Sequence, residues 1–206
     1  MNMEYDEWEP TYKEILYDFG FDQGMDDEAA LLLSDLLGDD AIDLLFTILK
    51  GKDVVICGNG PSLNDETREL GYEVVIAADG ATSVLLKEGI IPDVVVTDLD
   101  GVIGDLLYVN RLDALMVVHA HGDNMNLLKK VVPQLKDVVG TTQSKPFGVI
   151  HNFGGFTDGD RSVFVAKSMS ARSIKLIGFD FDDPDVSEIK KKKLKWAERL
   201  ISDLGI

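Results

Sequence analysis

The chain has 206 residues, 45% of them hydrophobic, which is enough for one sizeable core but cramped for two full domains. Its 37 acidic and 20 basic residues give a net charge of −17, which argues against a surface that binds nucleic acid by neutralising phosphates. No apolar run approaches the ~20 residues of a membrane span, and the acidic amino-terminal sequence is unlike a signal peptide, so we expect a cytoplasmic protein with neither membrane nor nucleic acid as partner.

The first 50 residues are predicted to form a helical amino-terminal cap, because they lack runs of β-branched residues. Helices are expected over residues 11–19, 26–37 and 40–50, since a glycine follows each of these stretches. The same helices offer a surface for contact between copies of the chain, so a homo-oligomer is left open.

From residue 52 onward, short apolar runs alternate with helical patterns. Strands are predicted at residues 53–57, 73–77, 93–97, 114–119, 137–140, 147–150 and 173–178. Helices are predicted between them at residues 65–70, 81–88, 105–111, 124–135 and 160–170, and a last helix at residues 185–204. This alternation predicts a Rossmann-like α/β domain over residues 51–206, with a mostly parallel sheet and helices on both faces.

Two carboxylates stand at the end of the third predicted strand. The β-branched run VVVT is followed by Asp98 and Asp100, and then by Gly101. The carboxyl ends of parallel strands are where open α/β sheets bind ligands. Turn and helix-capping chemistry would account for one of the acids but not both. A divalent cation such as Mg²⁺, which takes oxygen ligands and often bridges to phosphate, accounts for the pair.

The segment HAHGDN follows the fourth predicted strand. His119 and His121 alternate along an extended segment, so both are expected to face the same way. The spacing is similar to the zinc motif of metallo-β-lactamases, but Asn124 stands where that motif has a histidine, and a zinc hydrolase is disfavoured. Asp123 fits better as a further Mg²⁺ ligand, with the histidines lining the site or touching phosphate.

A glycine-rich turn, CGNGPSLND, follows the first predicted strand and precedes a helix, which suits an anion or phosphate. It lacks the lysine of a P-loop and the third glycine of a dinucleotide fingerprint, so a purely structural turn is an equal alternative. Asp79, after the second strand, could contact a ribose or a metal, or could instead cap the next helix. The residues predicted to bind the nucleotide are Gly58, Asn59, Gly60, Pro61, Ser62, Asp79 and Gly80.

The densest polar loop, HNFGGFTDGDRS, follows the sixth predicted strand. Its adjacent glycines allow a close approach to the backbone, and Phe153 or Phe156 could stack on a flat ring. Arg161, near the start of the next helix, could stabilise charge on a transferred phosphate. A purely structural loop is the alternative reading.

Two further sets of residues follow from these loops. The residues predicted to bind a heterocyclic substrate are Thr142, Gln143, Asn152, Phe153, Gly154 and Asp158. The predicted catalytic residues are Arg161, Asp160 and His121, although no general base stands out and Asp158 or Asp160 would be the choice. The basic run at residues 190–195 is predicted to be a solvated helix face.

The segments GNGPSL, AADGAT, PDVVVTDLDG, HAHGDN, GTTQ and NFGGFTDGDR occur in the order found in the archaeal 6-hydroxymethyl-7,8-dihydropterin diphosphokinases, and the chain resembles this MptE-like family over residues 8–182. The resemblance implies that ATP gives its β,γ-diphosphate to the hydroxymethyl group of a dihydropterin, leaving AMP, in folate- or methanopterin-type pterin biosynthesis. In the related thiamine pyrophosphokinases a strand-end Asp-x-Asp pair and a downstream Asp hold Mg²⁺. By resemblance those roles fall on Asp98, Asp100 and Asp123.

Three other functions compete with this one. Thiamine pyrophosphokinase is disfavoured because HAHGDN replaces the Lys/Gln-Asp-x-Thr-Asp type element of those enzymes, and because no thiamine-binding β-domain is recognisable downstream. An S-adenosylmethionine methyltransferase would explain VVICGNGPS and AADG but not DLDG or HAHGD. A non-enzymatic nucleotide-binding module would bind ATP without turnover of any alcohol.

Overall fold

The computed structural model describes residues 4–71 and 73–206, and within them a single sheet of seven parallel strands forms the centre of the molecule. The order across the sheet is β6-β5-β4-β3-β2-β1-β7. The strands are β1 (Asp53–Cys57), β2 (Val74–Ala78), β3 (Val94–Thr97), β4 (Leu115–Ala120), β5 (Val138–Thr142), β6 (Ile150–His151) and β7 (Ser173–Ile177). The predicted Rossmann-like α/β fold is confirmed.

Helices cover both faces of this sheet. They are α1 (Tyr5–Phe19), α2 (Gln23–Leu36), α3 (Ile42–Leu49), α4 (Leu63–Glu66), α5 (Ala81–Lys87), α6 (Ile103–Arg111), α7 (Met125–Val131), α8 (Asp158–Ser168) and α9 (Glu188–Asp203). Short 3-10 turns at Thr67–Glu69 and Val132–Gln134 extend α4 and α7. Among the described residues, none of these helices has both the length and the apolar character needed to cross a bilayer.

The direction of the crossovers decides which helix lies on which face. From β1 to β6 the strands advance one way across the sheet, and right-handed connections place α4 to α7 on one face. The chain then returns to the far edge through α8, which packs on the opposite face with α9. Alternate residues of β1 follow this division, since Val55 faces the first layer and Val54 the second.

The three amino-terminal helices contribute to both layers. Ala29 and Leu33 of α2 belong to the first hydrophobic cluster, whereas Tyr12 of α1 and Leu45 of α3 belong to the second. We keep the division into a cap (1–50) and a catalytic domain (51–206) as a proposal. Residues 1–3 of that predicted cap lie outside the described residues.

Two elements differ clearly from their predicted bounds. Helix α1 begins six residues before the predicted start and continues through Pro10. Its early turns are held by Trp8, whose Nε1 donates to the Gln143 carbonyl at 2.9 Å and whose ring meets Phe164 edge-on. The strand predicted at 147–150 is wrong in position, because Phe147 and Ile150 pair back on each other in a tight turn and β6 only begins at Ile150.

The loops after β1 and β7 meet at very short range. Gly58 donates to the Ile177 carbonyl and Gly60 to the Gly178 carbonyl, each at 2.8 Å. A Cβ on Gly58 would lie 2.5 Å from the Gly178 oxygen, and Gly178 itself has φ +70 with the Gly58 backbone against it. Strand order reverses between β1 and β7, so this contact fixes one side of the crevice where α/β sheets bind ligands.

We expect Gly178→Ala to lower the free energy of unfolding more than Gly89→Ala does. Both glycines have positive φ, +70 and +75, but a Cβ at Gly89 meets no atom within 4 Å. The shared backbone strain should cost about 1–2 kcal/mol. The clash at Gly178 should add about 1–3 kcal/mol. Equal losses in urea unfolding would show that the close approach is not required.

Candidate active site

A cavity of about 480 Å³ opens at the carboxyl ends of the parallel strands. Loops after β1, β2, β3, β4, β5 and β7 contribute to its wall, together with the first turn of α8. Two further walls come from the loop between α1 and α2 and from one face of α9. Its size and its place beside the β1–β7 reversal are typical of small-molecule sites.

Three carboxylates meet on the floor of this cavity. Asp79 follows β2, Asp98 follows β3, and Asp158 begins α8, and one oxygen from each lies within 4.8 Å of the others. Asp79 accepts a hydrogen bond from the Thr97 hydroxyl, whose oxygen in turn accepts from the Leu99 N–H at 2.8 Å. The ends of neighbouring strands thus bring together acids that are up to 79 positions apart in sequence.

The pKa values of these groups reflect their crowding. Burial, with the neighbouring Asp100 and Asp98, raises the pKa of Asp79 to about 7. Burial and the charge of Asp98 raise the pKa of Asp158 well above its usual value. Burial also acts to raise the pKa of Asp98, but the hydrogen bond and charge of His121, with the charge of Arg161, outweigh it and lower this pKa. Such a cluster is better satisfied by a bound cation than by solvent.

Two basic side chains stand directly against the cluster. Arg161, only 3% exposed, donates from Nη1 to Asp158 and from Nη2 to the Phe156 carbonyl, both at 2.9 Å. His121 places Nε2 3.4 Å from Asp98 Oδ2, and its Nδ1 accepts from the Asp123 N–H at 3.3 Å. Both rigidly held groups line the cavity.

The three residues predicted as metal ligands differ in where they lie relative to the three-carboxylate cluster. Asp98 belongs to the three-carboxylate cluster. Asp100 lines the cavity and contributes to the raised pKa of Asp79. Asp123 also lines the cavity but is not part of the cluster, whereas Asp158, predicted as a substrate contact, is. Their roles as ligands stay predictions.

Most residues predicted to bind the nucleotide face the cavity. The lining members are Gly58, Asn59, Gly60, Asp79 and Gly80. Pro61 and Ser62 lie outside the lining. The Ser62 N–H donates to Asp180 at 2.9 Å and its hydroxyl donates to Glu66 at 3.2 Å. This turn therefore also has a structural role, which was the equal alternative predicted from the sequence.

The residues predicted to bind a heterocycle are more dispersed. Gln143 and Asp158 line the cavity, whereas Thr142, Asn152, Phe153 and Gly154 do not. Phe153 is 2% exposed within the second hydrophobic cluster. Asn152 accepts from the Gly154 N–H and donates to the carbonyl of Gln143. Their contact with substrate stays a prediction.

The structure also places two further side chains, Phe156 and Asp160, for which the sequence predicted a role in the site. Phe156, the alternative stacking ring, does line the cavity. Asp160, predicted as catalytic, is fully buried and caps α8, accepting from the N–H groups of Phe156 and Thr157. Both of its oxygens are engaged in this cap, and it does not line the cavity.

Residues 32–186 match the family model described as 6-hydroxymethylpterin diphosphokinase MptE-like. The chain belongs to this MptE-like family. Three relatives carry the name 6-hydroxymethyl-7,8-dihydropterin pyrophosphokinase. The relative from Methanothermobacter thermautotrophicus is 42% identical over 223 aligned residues, covering 97% of this chain and 94% of the relative. Those from Pyrococcus furiosus and Methanocaldococcus jannaschii are 45% and 41% identical, covering 97% and 98% of this chain and 93% and 96% of the relatives.

The family resemblance indicated by the strand-end motifs is therefore confirmed. Two walls of the cavity in this MptE-like protein were not predicted from the sequence. The basic run at residues 190–195 is only partly a solvated face, because Lys190 and Lys193 line the cavity. Lys191 and Lys195 form ion pairs with acidic side chains at 2.9 and 2.7 Å. Among the described residues, Lys190 and Lys193 make no ion pair. Their i, i+3 spacing, which places both lysines on one face of a helix, was the sequence signal that could have identified them.

Asp26 of α2 is the other missed residue, and it anchors the HAHGDN loop. Its two oxygens accept from the Gly122 N–H at 3.0 Å and from the Tyr12 hydroxyl at 2.7 Å. Asp26 is 5% exposed and lines the cavity. No local pattern identifies this residue, since Gly122 lies 96 positions away in the sequence.

We expect Asp26→Ala to lower the free energy of unfolding by about 2–4 kcal/mol, because it leaves one buried and one partly buried donor without an acceptor. Asp22→Ala is the matched control on the same helix. It removes only an exposed cap to the Gly24 N–H and should cost about 1 kcal/mol. Denaturant unfolding measures both, and an Asp26→Ala loss no larger than the control would contradict the anchoring role.

Proposed function

We propose that this protein transfers the β,γ-diphosphate of ATP to the hydroxymethyl oxygen of 6-hydroxymethyl-7,8-dihydropterin, in a Mg²⁺-dependent reaction. The new bond joins the hydroxymethyl oxygen to the β-phosphorus, the bond from that phosphorus to the α,β-bridging oxygen breaks, AMP leaves, and the hydroxyl proton is lost. Family membership and the shared name of three relatives support this reaction. The observation that carries it is the partly buried carboxylate cluster beside Arg161 in one cavity.

Asp98, Asp79 and Asp158 are the residues we assign to Mg²⁺, with Asp100 next to them. The fit rests on three oxygen donors within 4.8 Å and on the raised pKa values of Asp79 and Asp158, which burial and the neighbouring carboxylates cause and which a bound cation would lower. Mg²⁺ would supply charge neutralisation and orientation for the triphosphate. We retain Asp123, on the cavity wall, as a candidate for a more distant contact.

The chain's own cations are assigned to the phosphate oxygens. Arg161 is fixed by Asp158 and a carbonyl, and its other guanidinium donors make no hydrogen bond within the described residues. A donor held in place before the reaction stabilises developing charge without reorganisation. Lys190 and Lys193 add two further cations to the lining of the cavity. Diphosphate transfer depends mainly on such charge and positioning.

The function is tested by AMP release from ATP across a panel of alcohols, with Mg²⁺ and with EDTA. We expect AMP with 6-hydroxymethyl-7,8-dihydropterin only when Mg²⁺ is present, and no AMP with thiamine. Turnover of thiamine in its place would assign the chain to the competing enzyme. ATP binding without AMP release for any alcohol would favour a binding module.

We expect Asp98→Asn to lower kcat by at least about 100-fold, since it removes charge that acts on the transition state. It should also weaken Mn²⁺ binding measured by electron paramagnetic resonance without ATP. Asp113→Asn is the control, because the Asp113 side chain is exposed and pairs with Lys136 away from the cavity lining. Unchanged Mn²⁺ affinity in the Asp98 variant would remove this residue from the proposed metal site.

Lys193→Gln and Lys190→Gln are each expected to raise the KM for ATP by about 3- to 10-fold, with little change for the pterin. This corresponds to about 0.7–1.4 kcal/mol of lost attraction to phosphate. Lys191→Gln removes the same charge from the same helix outside the cavity lining and should leave both KM values unchanged. An equal rise in the KM for ATP in all three variants would indicate an effect of net charge alone and would contradict the assignment of Lys190 and Lys193 to phosphate.

A further inference from the structure

Two polar side chains of the cavity have buried atoms without a hydrogen-bond partner in the described part of the chain. They are His119, through Nε2, and Gln143, through Oε1. The two residues are 2% and 6% exposed, and both line the cavity. Leaving a buried polar atom unpaired costs about 1–3 kcal/mol, so such atoms in a ligand cavity indicate partners supplied by the ligand.

The hydrogen bonds around His119 guide the assignment of its ring proton. The Thr141 hydroxyl donates to the Val118 carbonyl at 3.1 Å, so its hydrogen is already used. Its oxygen lies 3.1 Å from His119 Nδ1 and can only accept there. With this direction we assign the His119 proton to Nδ1, which leaves a bare lone pair at Nε2. Burial and the positive Arg161 lower the pKa of His119, which keeps the ring neutral.

Gln143 lines the same cavity as His119. His119 of β4 is the register partner of Thr141 of β5, and Gln143 follows Thr141 by two residues, in the bend that begins where β5 ends at Thr142. The Gln143 backbone carbonyl is held by two donors, Trp8 Nε1 and Asn152 Nδ2, each at 2.9 Å. Both side chains with an unpaired acceptor therefore belong to one cavity, at the carboxyl ends of two adjacent strands, and the Gln143 backbone is held in place.

We propose that His119 Nε2 and Gln143 Oε1 accept hydrogen bonds from one edge of the substrate ring that carries two adjacent N–H donors. The amino group and neighbouring ring N–H of a 2-amino-pyrimidin-4-one form such an edge. An adenine or a thiamine aminopyrimidine instead places a ring acceptor next to its amino group. The inference rests on the proposed function and deepens it, because it assigns this subsite to the pterin ring and names the atoms that select it.

A site whose buried acceptors need donors discriminates strongly against analogues that lack them. The test is equilibrium binding of 6-hydroxymethylpterin and 6-hydroxymethyllumazine without ATP, followed by ligand fluorescence. The lumazine has a carbonyl in place of the 2-amino group. We expect the wild type to prefer the pterin by at least about 10-fold, and Gln143→Met to reduce this preference to less than about 3-fold. Gln143→Glu, which keeps an acceptor, should preserve it.

His119→Phe should weaken pterin binding by about 10-fold or more. The matched controls are Gln134→Met, on the surface, and His151→Phe, whose ring pairs with Asp40 and does not line the cavity. Both should bind like the wild type. Urea unfolding verifies that each variant is folded. If His119→Phe does not fold, the binding preference of Gln143→Met alone decides whether the inference holds.

Unchanged pterin preference in folded Gln143→Met would overturn this inference while leaving AMP release, and so the proposed function, intact. A wild type that neither binds the pterin nor releases AMP with it would remove the proposed function as well.

Discussion

The site depends on holding three carboxylates together in a buried place, which electrostatic repulsion opposes. The fold meets this constraint by giving each acid its own partner at the same edge of the sheet. The partners are the Thr97 hydroxyl for Asp79, the His121 ring for Asp98 and the Arg161 guanidinium for Asp158. Burial and the charges of Asp100 and Asp98 still raise the pKa of Asp79, and a bound cation, which we propose for this floor, would offset both effects.

The walls of the cavity separate its chemistry into regions. The acidic floor suits a metal, the side formed by Arg161 and α9 suits phosphate, and the neutral acceptors of His119 and Gln143 suit a ring with N–H donors. Residues distant in sequence hold these regions in place relative to one another. Asp26 of α2 fixes the loop after β4, and Trp8 of α1 fixes the residue after β5. The amino-terminal helices therefore support the site as well as the core.

Much of this architecture could be predicted because its signals are local. Short β-branched runs alternating with helical periodicity indicate a parallel sheet, and six of the seven strands lie within two residues of their predicted bounds. A parallel sheet places every strand's carboxyl end at one edge, so the polar loops were expected to converge. Helix α1 was predicted too short because Pro10 normally marks a helix start or break, whereas the buried Trp8 contacts stabilise the preceding turn.

The sequence by itself determined the fold, the family and the edge at which the site lies, since these follow from periodicity, strand direction and ordered motifs. Only the tertiary structure decided which acids meet. Asp158 joins Asp98 because the chain returns across the sheet through α8, and Asp123 stays apart although it is closer in sequence. Likewise, Phe156 rather than Phe153 reaches the cavity after two left-handed glycines turn the chain. Such choices depend on crossovers and backbone angles set by packing, which no local pattern encodes.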